Sequence, residues 1–311
     1  MMEIPIFVIG GFLDSGKTTF IIDAIEHDGF DKKGRTLVIL CEDGEVELTD
    51  EFASNHNTKV IRINDESQFN PELFSEFAAK FVPDRVIVEL NCMWDINNLY
   101  FPEGFRIAQA LSFIDATTFD VYYNNMRQKF KEIVEFSDIV VFNRCIDNSK
   151  LLQYQTGLKL LNSNAQFMIM DKDGMTKKAF EDPLPYDINA DIITIEDEDY
   201  GRWYIDTFEN PSRYNGRVVE FNALVTISKK LPKNSFIAGR FAMTCCADDI
   251  QLYGHLCMNE INAKVKNKTW IHIVAKVEYE YSEEYQEEEA VLYPISIKTI
   301  MPIKNPVLDL R

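Results

Sequence analysis

Ten consecutive residues, Gly10-Gly11-Phe12-Leu13-Asp14-Ser15-Gly16-Lys17-Thr18-Thr19, hold the most specific chemistry in the chain. From Gly11 to Thr18 they match G-x-x-x-x-G-K-[ST] without a gap. That pattern is a phosphate-binding loop: glycines let the backbone curl until successive N–H groups face a polyphosphate, and the following helix adds the partial positive charge of its N-terminus. A lysine at position 17 would reach the β- and γ-phosphates, and the hydroxyl of Thr18 would ligate Mg²⁺. The context agrees with the motif. The apolar run Ile4 to Ile9 reads as a strand before the loop, and Phe20-Ile21-Ile22-Asp23-Ala24-Ile25 continues with helical spacing after it. The residues expected to contact a bound nucleotide here are Gly11, Asp14, Ser15, Gly16, Lys17, Thr18 and Thr19.

Two acids stand at the ends of other apolar runs and are candidates for the rest of the site. Thr36-Leu37-Val38-Ile39-Leu40 reads as a strand that delivers Cys41-Glu42-Asp43-Gly44-Glu45 at its carboxyl end. Arg85-Val86-Ile87-Val88-Glu89 is a nearly continuous apolar run closed by an acid, the Walker B pattern of a buried parallel strand. Glu42 and Glu89 are expected, with Thr18, in the metal shell, or as acids that position an attacking water beside Lys17. Cys41, Cys92 and Cys145 also fall at predicted strand ends. They are either ordinary packing or, with Glu42, a soft metal site.

These residues need elements to position them. Strands are predicted at Ile4 to Ile9, 36–40, 60–63, 85–90, 110–115, 139–143 and 165–170. Between them come helices, one opened by Asn70-Pro71-Glu72 with Asn as N-cap and Pro in the first turn, a long one from Tyr122 to Phe136, and another from Leu151 to Leu161. Regular alternation of this kind implies a doubly wound, mostly parallel α/β sheet, a P-loop NTPase domain with ligands gathered at the carboxyl ends of its strands. It is expected to occupy residues 1–183. The whole chain of 311 residues is longer than one average domain.

Composition narrows the classes. An apolar content of 46% supports a normal core. No apolar run approaches a membrane span, and Met1-Met2-Glu3 lacks the basic start of a signal peptide, so a cytoplasmic protein is expected. The net charge of −18 argues against a nucleic-acid partner, and six cysteines without a regular framework suggest free thiols.

The loop, Cys41-Glu42-Asp43-Gly44-Glu45-Val46, Glu89, Phe113-Ile114-Asp115-Ala116, Asn143-Arg144-Cys145 and Leu160-Leu161-Asn162-Ser163-Asn164-Ala165 fall in the order seen in the CobW-like metallochaperone GTPases, relatives of HypB and UreG. The resemblance covers about residues 1–180. It implies a domain that binds GTP with Mg²⁺, hydrolyses it slowly and couples the nucleotide state to transfer of a metal, commonly zinc or cobalt. It also implies that Asn143 and Asp147 contact guanine. Three positions depart from the family pattern. No cysteine lies between Glu42 and Glu89, so the family's Cys-x-Cys-Cys motif is absent. The guanine-reading Asn-Lys-x-Asp appears as Asn143-Arg144-Cys145-Ile146-Asp147, with Arg for Lys and the acid one position late. Asp14 stands where the family has Gly or Ala, and a carboxylate turned toward phosphate would repel it.

From Asp182-Pro183-Leu184-Pro185 the pattern changes, and the acidic run Glu196-Asp197-Glu198-Asp199 reads as a solvated boundary. Residues 218–227, 239–245, 251–258, 270–278 and 293–300 are β-rich segments between polar turns, which suits a small all-β, OB-like barrel over residues 184–311. The stretch Glu278 to Glu289, with seven glutamates, is expected as an exposed hairpin or loop. The phrase Gly239-Arg240-Phe241-Ala242-Met243-Thr244-Cys245-Cys246-Ala247-Asp248-Asp249, followed by Trp270, resembles the C-terminal domain of the YcgQ-like permease-associated proteins over about residues 190–305. That resemblance implies a link to zinc homeostasis. If Gly239 to Cys245 and Gln251 to Met258 are consecutive strands, Cys245 could face Cys257, with His255 near, and thiolate plus imidazole would select Zn²⁺. The alternative is that Cys245 is barrel core.

Two functions stand against each other at this point. One is a slow GTPase in metal trafficking or metalloprotein maturation, with a metalloprotein client or a transporter subunit as partner. The other is a nucleotide-dependent binding module that regulates such a partner and hydrolyses little. An oligomer fits either. A P-loop kinase has little support, because no basic lid segment follows the loop.

Overall fold

A computed structural model of the chain describes residues 3–28, 34–96, 99–147, 149–171, 173–174, 176–179, 184–243, 250–261, 263–282 and 286–309. Two compact units make it up: residues 1–152 with 164–180, and residues 153–163 with 181–311.

The first unit is built on β1 (Ile4–Gly11), β2 (Thr36–Leu40), β3 (Thr58–Arg62), β4 (Arg85–Glu89), β5 (Phe105–Asp115), β6 (Ile139–Asn143), β7 (Gln166–Met170) and β8 (Thr176–Lys178). They form one sheet in the order β3-β2-β4-β1-β5-β6-β7-β8. Every pairing is parallel except that of β8 with β7. This is the doubly wound sheet expected from the alternation of elements, and its central strand is β1, held between β4 and β5. Alternate residues of each strand feed opposite faces. Ile6, Val8, Val86 and Val88 enter one core with Phe69 and Phe74, while Ile9, Val38, Ile87 and Phe113 enter the other with Ile21 and Leu48. Of the five residues of β2, all are buried, as a central parallel strand requires.

The helices are α1 (Lys17–Asp23), α2 (Asp50–Asn55), α3 (Pro71–Phe81), α4 (Phe119–Asn125), α5 (Arg127–Phe136) and α6 (Ser149–Leu161). Asn70 caps α3 as its sequence suggests, its Oδ1 accepting the Leu73 N–H at 3.0 Å. The long helix expected over Tyr122 to Phe136 is instead two, α4 and α5, broken at Met126 with φ −130° and ψ 40°. Asn124 and Asn125 explain the break. Their amides donate to the Asp120 and Val121 carbonyls at 2.7 and 2.8 Å, a side-chain alternative that ends the helix.

The second unit contains β9 (Ile192–Thr194), α7 (Tyr200–Glu209), β10 (Val218–Thr226), β11 (Ser235–Met243), β12 (Ile250–Met258), β13 (Trp270–Ser282), β14 (Glu287–Thr299) and β15 (Val307–Asp309). Its mixed sheet runs β15-β11-β12-β14-β13-β10-β9, and β10 also pairs with β11. The acidic stretch is a hairpin rather than a loop, with β13 and β14 paired out to Ser282 and Glu287. α7 follows directly on the acidic run Glu196 to Asp199 and is not anticipated from the sequence. Tyr200 and Trp203 on α7 are buried in the core of this unit with Val219, Phe221, Phe236 and Ile273. Among the described residues no helix is long and apolar enough to cross a membrane.

Candidate functional site

The loop between β1 and α1 leaves the central strand at the switch point of the sheet, where ligands of open α/β folds collect. Two of its residues must be glycine. Gly11 has φ 130°, and a Cβ there would lie 2.1 Å from the Phe113 carbonyl oxygen. Gly16 has φ 103°, and its Cβ would lie 2.2 Å from Nδ2 of Asn143. Asn143, at the end of β6, donates that amide to the Ser15 carbonyl at 3.0 Å and so ties β6 to the loop. The next residue, Arg144, donates to the Asp14 carbonyl at 2.9 Å and pairs with Asp115 at the end of β5. The guanidinium that replaces the family lysine thus braces the loop from outside. Asp14 Oδ1 accepts the Glu45 N–H at 2.9 Å, so its carboxylate is held by the segment after β2.

The ammonium of Lys17 is buried and fully engaged. It donates to the carbonyls of Gly11 and Phe12 at 2.9 and 2.8 Å and forms an ion pair with Glu42, a residue that is itself nearly buried at the ammonium. Thr18 Oγ1 sits 3.0 Å from both carboxylate oxygens of Glu89. Burial pushes the Glu89 carboxyl up to about 7, against the downward pull of Lys17 and Thr18, and Glu42 adds to the rise. Ser15 Oγ is buried without a hydrogen-bond partner. The expected phosphate and metal residues therefore converge from β1, α1, β2 and β4, and they form a buried, charge-balanced cluster. The void beside them, lined by Asp14, Gly16, Lys17, Glu42, Glu45 and Glu89 among others, holds about 40 Å³.

A second cleft, of about 370 Å³, adjoins the first. Phe20, Phe113 and Met170 are among its apolar walls, and Asn143, Asp171 and Asp173 line it too. Asp147 does not line it and is exposed. Sequence reasoning missed Asp171 and Asp173; the available signal was an acid directly after the strand that ends at Met170.

The remaining candidates are placed separately. Cys41, Cys92 and Cys145 are buried free thiols. Burial raises all three, with Glu89 and Glu42 adding to the effect on Cys41, which reaches about 12. Cys245, with Cys246, Asp248 and Asp249, lies outside the described residues. Cys257 is a core residue of the second unit, its thiol pushed up to about 12 by burial. His255 is buried against Trp203, Tyr204 and Phe208, with Nε2 3.1 Å from Thr207 Oγ1, and burial lowers it to about 3. Among the described residues no group of three or more His, Cys, Asp or Glu side chains is placed to hold a metal.

The site's geometry can be set beside known proteins. Residues 5–168 match the CobW/HypB/UreG nucleotide-binding domain. The chain belongs to the CobW/HypB/UreG family. Beyond that domain, residues 169–308 match the DUF1980 C-terminal domain. The protein YcgQ of Bacillus subtilis, named as a UPF0703 protein, is 26% identical over 114 residues, which are 37% of this chain and 39% of that protein. Two solved structures are also similar. The hydrogenase maturation factor HypB from Archaeoglobus fulgidus is 17% identical at a TM-score of 0.40, over 55% of this chain and 82% of that one. Zn(II)-bound YjiA GTPase from E. coli is 16% identical at a TM-score of 0.42, over 73% of this chain and 74% of that one. For a CobW/HypB/UreG domain the matched span contains the loop, Glu42, Glu89, Asn143 and Asp147, and it ends two residues before Met170.

Proposed function

We propose that this chain is a GTP-binding switch that hydrolyses GTP slowly and serves metal trafficking or metalloprotein maturation. Its family membership supports the reading. The single observation that carries it is the convergence of Lys17, Thr18, Glu42 and Glu89 on the phosphate loop. Thr18 Oγ1 and the buried Glu89 carboxylate are hard oxygen donors, and they suit Mg²⁺. Bound there, Mg²⁺ would neutralise charge developing on the transferred phosphoryl group. Lys17 would hold the β- and γ-phosphates, Glu42 or Glu89 would orient the attacking water, and the loop N–H groups from Ser15 to Thr19 would cradle the phosphates.

A switch follows from the ion pair that Lys17 already makes. The ammonium that a phosphate would take is bound to Glu42. Glu42 must leave the ammonium, and the Cys41 to Val46 segment must move, before phosphate can take its place. The segment's two anchors on the loop, Glu42 to Lys17 and Glu45 N–H to Asp14, then break together.

In this reading residues 1–183 carry the nucleotide and residues 184–311 form an OB-like barrel. Its support is the pairing of β10 with β11 and β13, of β12 with β11 and β14, and the parallel contact between β12 and β14. That order is consistent with the first-second-third-fifth-fourth-first ring of a five-stranded Greek-key barrel. The protein would act in the cytoplasm on a metalloprotein client or a transporter subunit, alone or as an oligomer.

Nucleotide binding and turnover, measured with GTP and ATP, with and without Mg²⁺ and Zn²⁺, test the reading. Lys17→Ala is expected to abolish binding with an unchanged circular dichroism spectrum; unchanged affinity would remove the phosphate-loop assignment. The second reading, a regulatory module with little hydrolysis, is favoured by the lack of a Cys-x-Cys-Cys motif between Glu42 and Glu89. Tight GTP binding with no turnover above solvent hydrolysis would select it.

A further inference from the structure

Three features of the cleft of about 370 Å³ point to the base of the nucleotide, on the reading that the phosphate loop binds one. The cleft shares the lining residues Gly16, Thr19 and Arg144 with the void beside Lys17, so it adjoins the phosphate loop. Phe20 and Met170, both half-buried, supply apolar surface for a purine ring, and Asn143, whose Nδ2 donates to the Ser15 carbonyl, lines the cleft beside them. Of the carboxylates that line it, Asp171 is half-buried, whereas Asp23 and Asp173 are exposed.

We propose that the base is read in this cleft by Asp171, from the turn after β7, and not by Asp147. The position is built for the task. β7 lies beside β6 in the sheet, and the Cys145 N–H donates to the Met170 carbonyl at 3.0 Å, which brings the turn against the segment that carries Asn143. The Asp173 N–H donates to Asp171 Oδ1 at 2.9 Å and orients the carboxylate before any ligand arrives. A carboxylate accepts two hydrogen bonds side by side, and guanine offers N1–H and the N2 amino group in that arrangement. Adenine has no such donor pair. Asp147 is exposed and outside the lining, and its charge is felt instead at Cys145, whose thiol it helps to raise. The one-residue delay of the acid in Asn143-Arg144-Cys145-Ile146-Asp147 therefore has a compensating residue elsewhere in the fold.

The test uses the full chain and three variants, Asp171→Asn, Asp173→Asn and Asp147→Asn, titrated with GTP, ATP and xanthosine triphosphate. Asparagine at 171 retains an oxygen for the Asp173 N–H, so the turn is preserved, and circular dichroism checks the fold. Xanthine carries a carbonyl where guanine has its amino group, so an amide can pair with it. Asp171→Asn is expected to weaken GTP by about tenfold or more and to strengthen xanthosine triphosphate, while Asp147→Asn changes either by less than about twofold. The same reversal in Asp147→Asn or Asp173→Asn, with none in Asp171→Asn, overturns the assignment. A wild-type chain that binds GTP but is insensitive at 171 overturns this inference alone. One that binds no nucleotide at all overturns the phosphate-loop reading with it.

Discussion

At Lys17 a carboxylate already occupies the ammonium that a phosphate would need. Glu42 makes the pair in a place where both groups are almost out of water, so its strength depends on the exact partner rather than on bulk charge. Replacing it by an isosteric amide leaves the two carbonyl bonds to Lys17 and removes the competitor. Glu42→Gln is therefore expected to tighten GTP by about three- to tenfold, on the order of 1 kcal/mol, when binding is titrated without turnover. Weaker binding would mean that Glu42 contacts the nucleotide or its metal more than it competes with them. His255 gives a second residue-scale expectation. Its imidazole is held neutral by burial, with a folded value of about 3 against an ordinary 6.5. Below 6.5 the unfolded chain takes up a proton that the folded chain refuses, so stability falls as the pH drops from 6.5 toward 3. Between pH 7 and 5 the loss from this one group is about 2 kcal/mol, and His255→Gln should remove it from the difference in urea stability between those pH values.

At the scale of elements, α7 does the most for the second unit. Trp203 is fully buried, 4.6 Å from the Phe221 ring and 5.2 Å from that of His255. Trp203→Ala is expected to cost about 3–5 kcal/mol in chemical denaturation. The Trp203 indole N–H is buried without a partner, however, and an unsatisfied donor is itself a cost. Trp203→Phe should accordingly lose clearly less than the alanine variant, and equal losses would show that volume plays no part. In the first unit the comparable elements are the ends of β2, β4, β5 and β6. Each contributes a polar side chain at the loop: Glu42 just past β2, Glu89 on β4, Asp115 on β5 and Asn143 on β6. A parallel sheet aligns its carboxyl ends along one edge, and this is why residues from four separate stretches meet.

At the scale of the whole chain, the phosphate loop, its acids and the neighbouring cleft all belong to residues 1–152 and 164–180. A chain cut after residue 180 should therefore bind GTP within about threefold of the full protein, by titration, a difference under 1 kcal/mol. A loss of binding would show that the nucleotide site needs residues from the second unit. The division of the chain is less simple than a cut near residue 183. α6 begins in the first unit and its residues from 153 onward cluster with the second, where Leu160 packs on the core and Lys159 pairs with Glu209 on α7.

Much of this was legible in the residues taken alone, wherever the physics is local. Glycine spacing, β-branched runs and the Asn70-Pro71 start depend on a residue's own backbone preferences and nearest neighbours, so the loop, the strands of the first sheet and the opening of α3 could be read directly. The alternation of strands with helices likewise implied the parallel sheet. Other features depend on partners far along the chain. The pairing of Lys17 with Glu42 joins the start of α1 to the segment after β2, and the exposure of Asp147 and half-burial of Asp171 depend on how the chain continues past β6 and β7. The spacing of Tyr200, Trp203, Tyr204 and Thr207 was helical all along, but the acidic run before it reads as a boundary until the core that buries it is known. His255 and Cys257 show the same limit: the burial of the imidazole among Trp203, Tyr204 and Phe208, and of the thiol in the core of the second unit, depends on partners far along the chain.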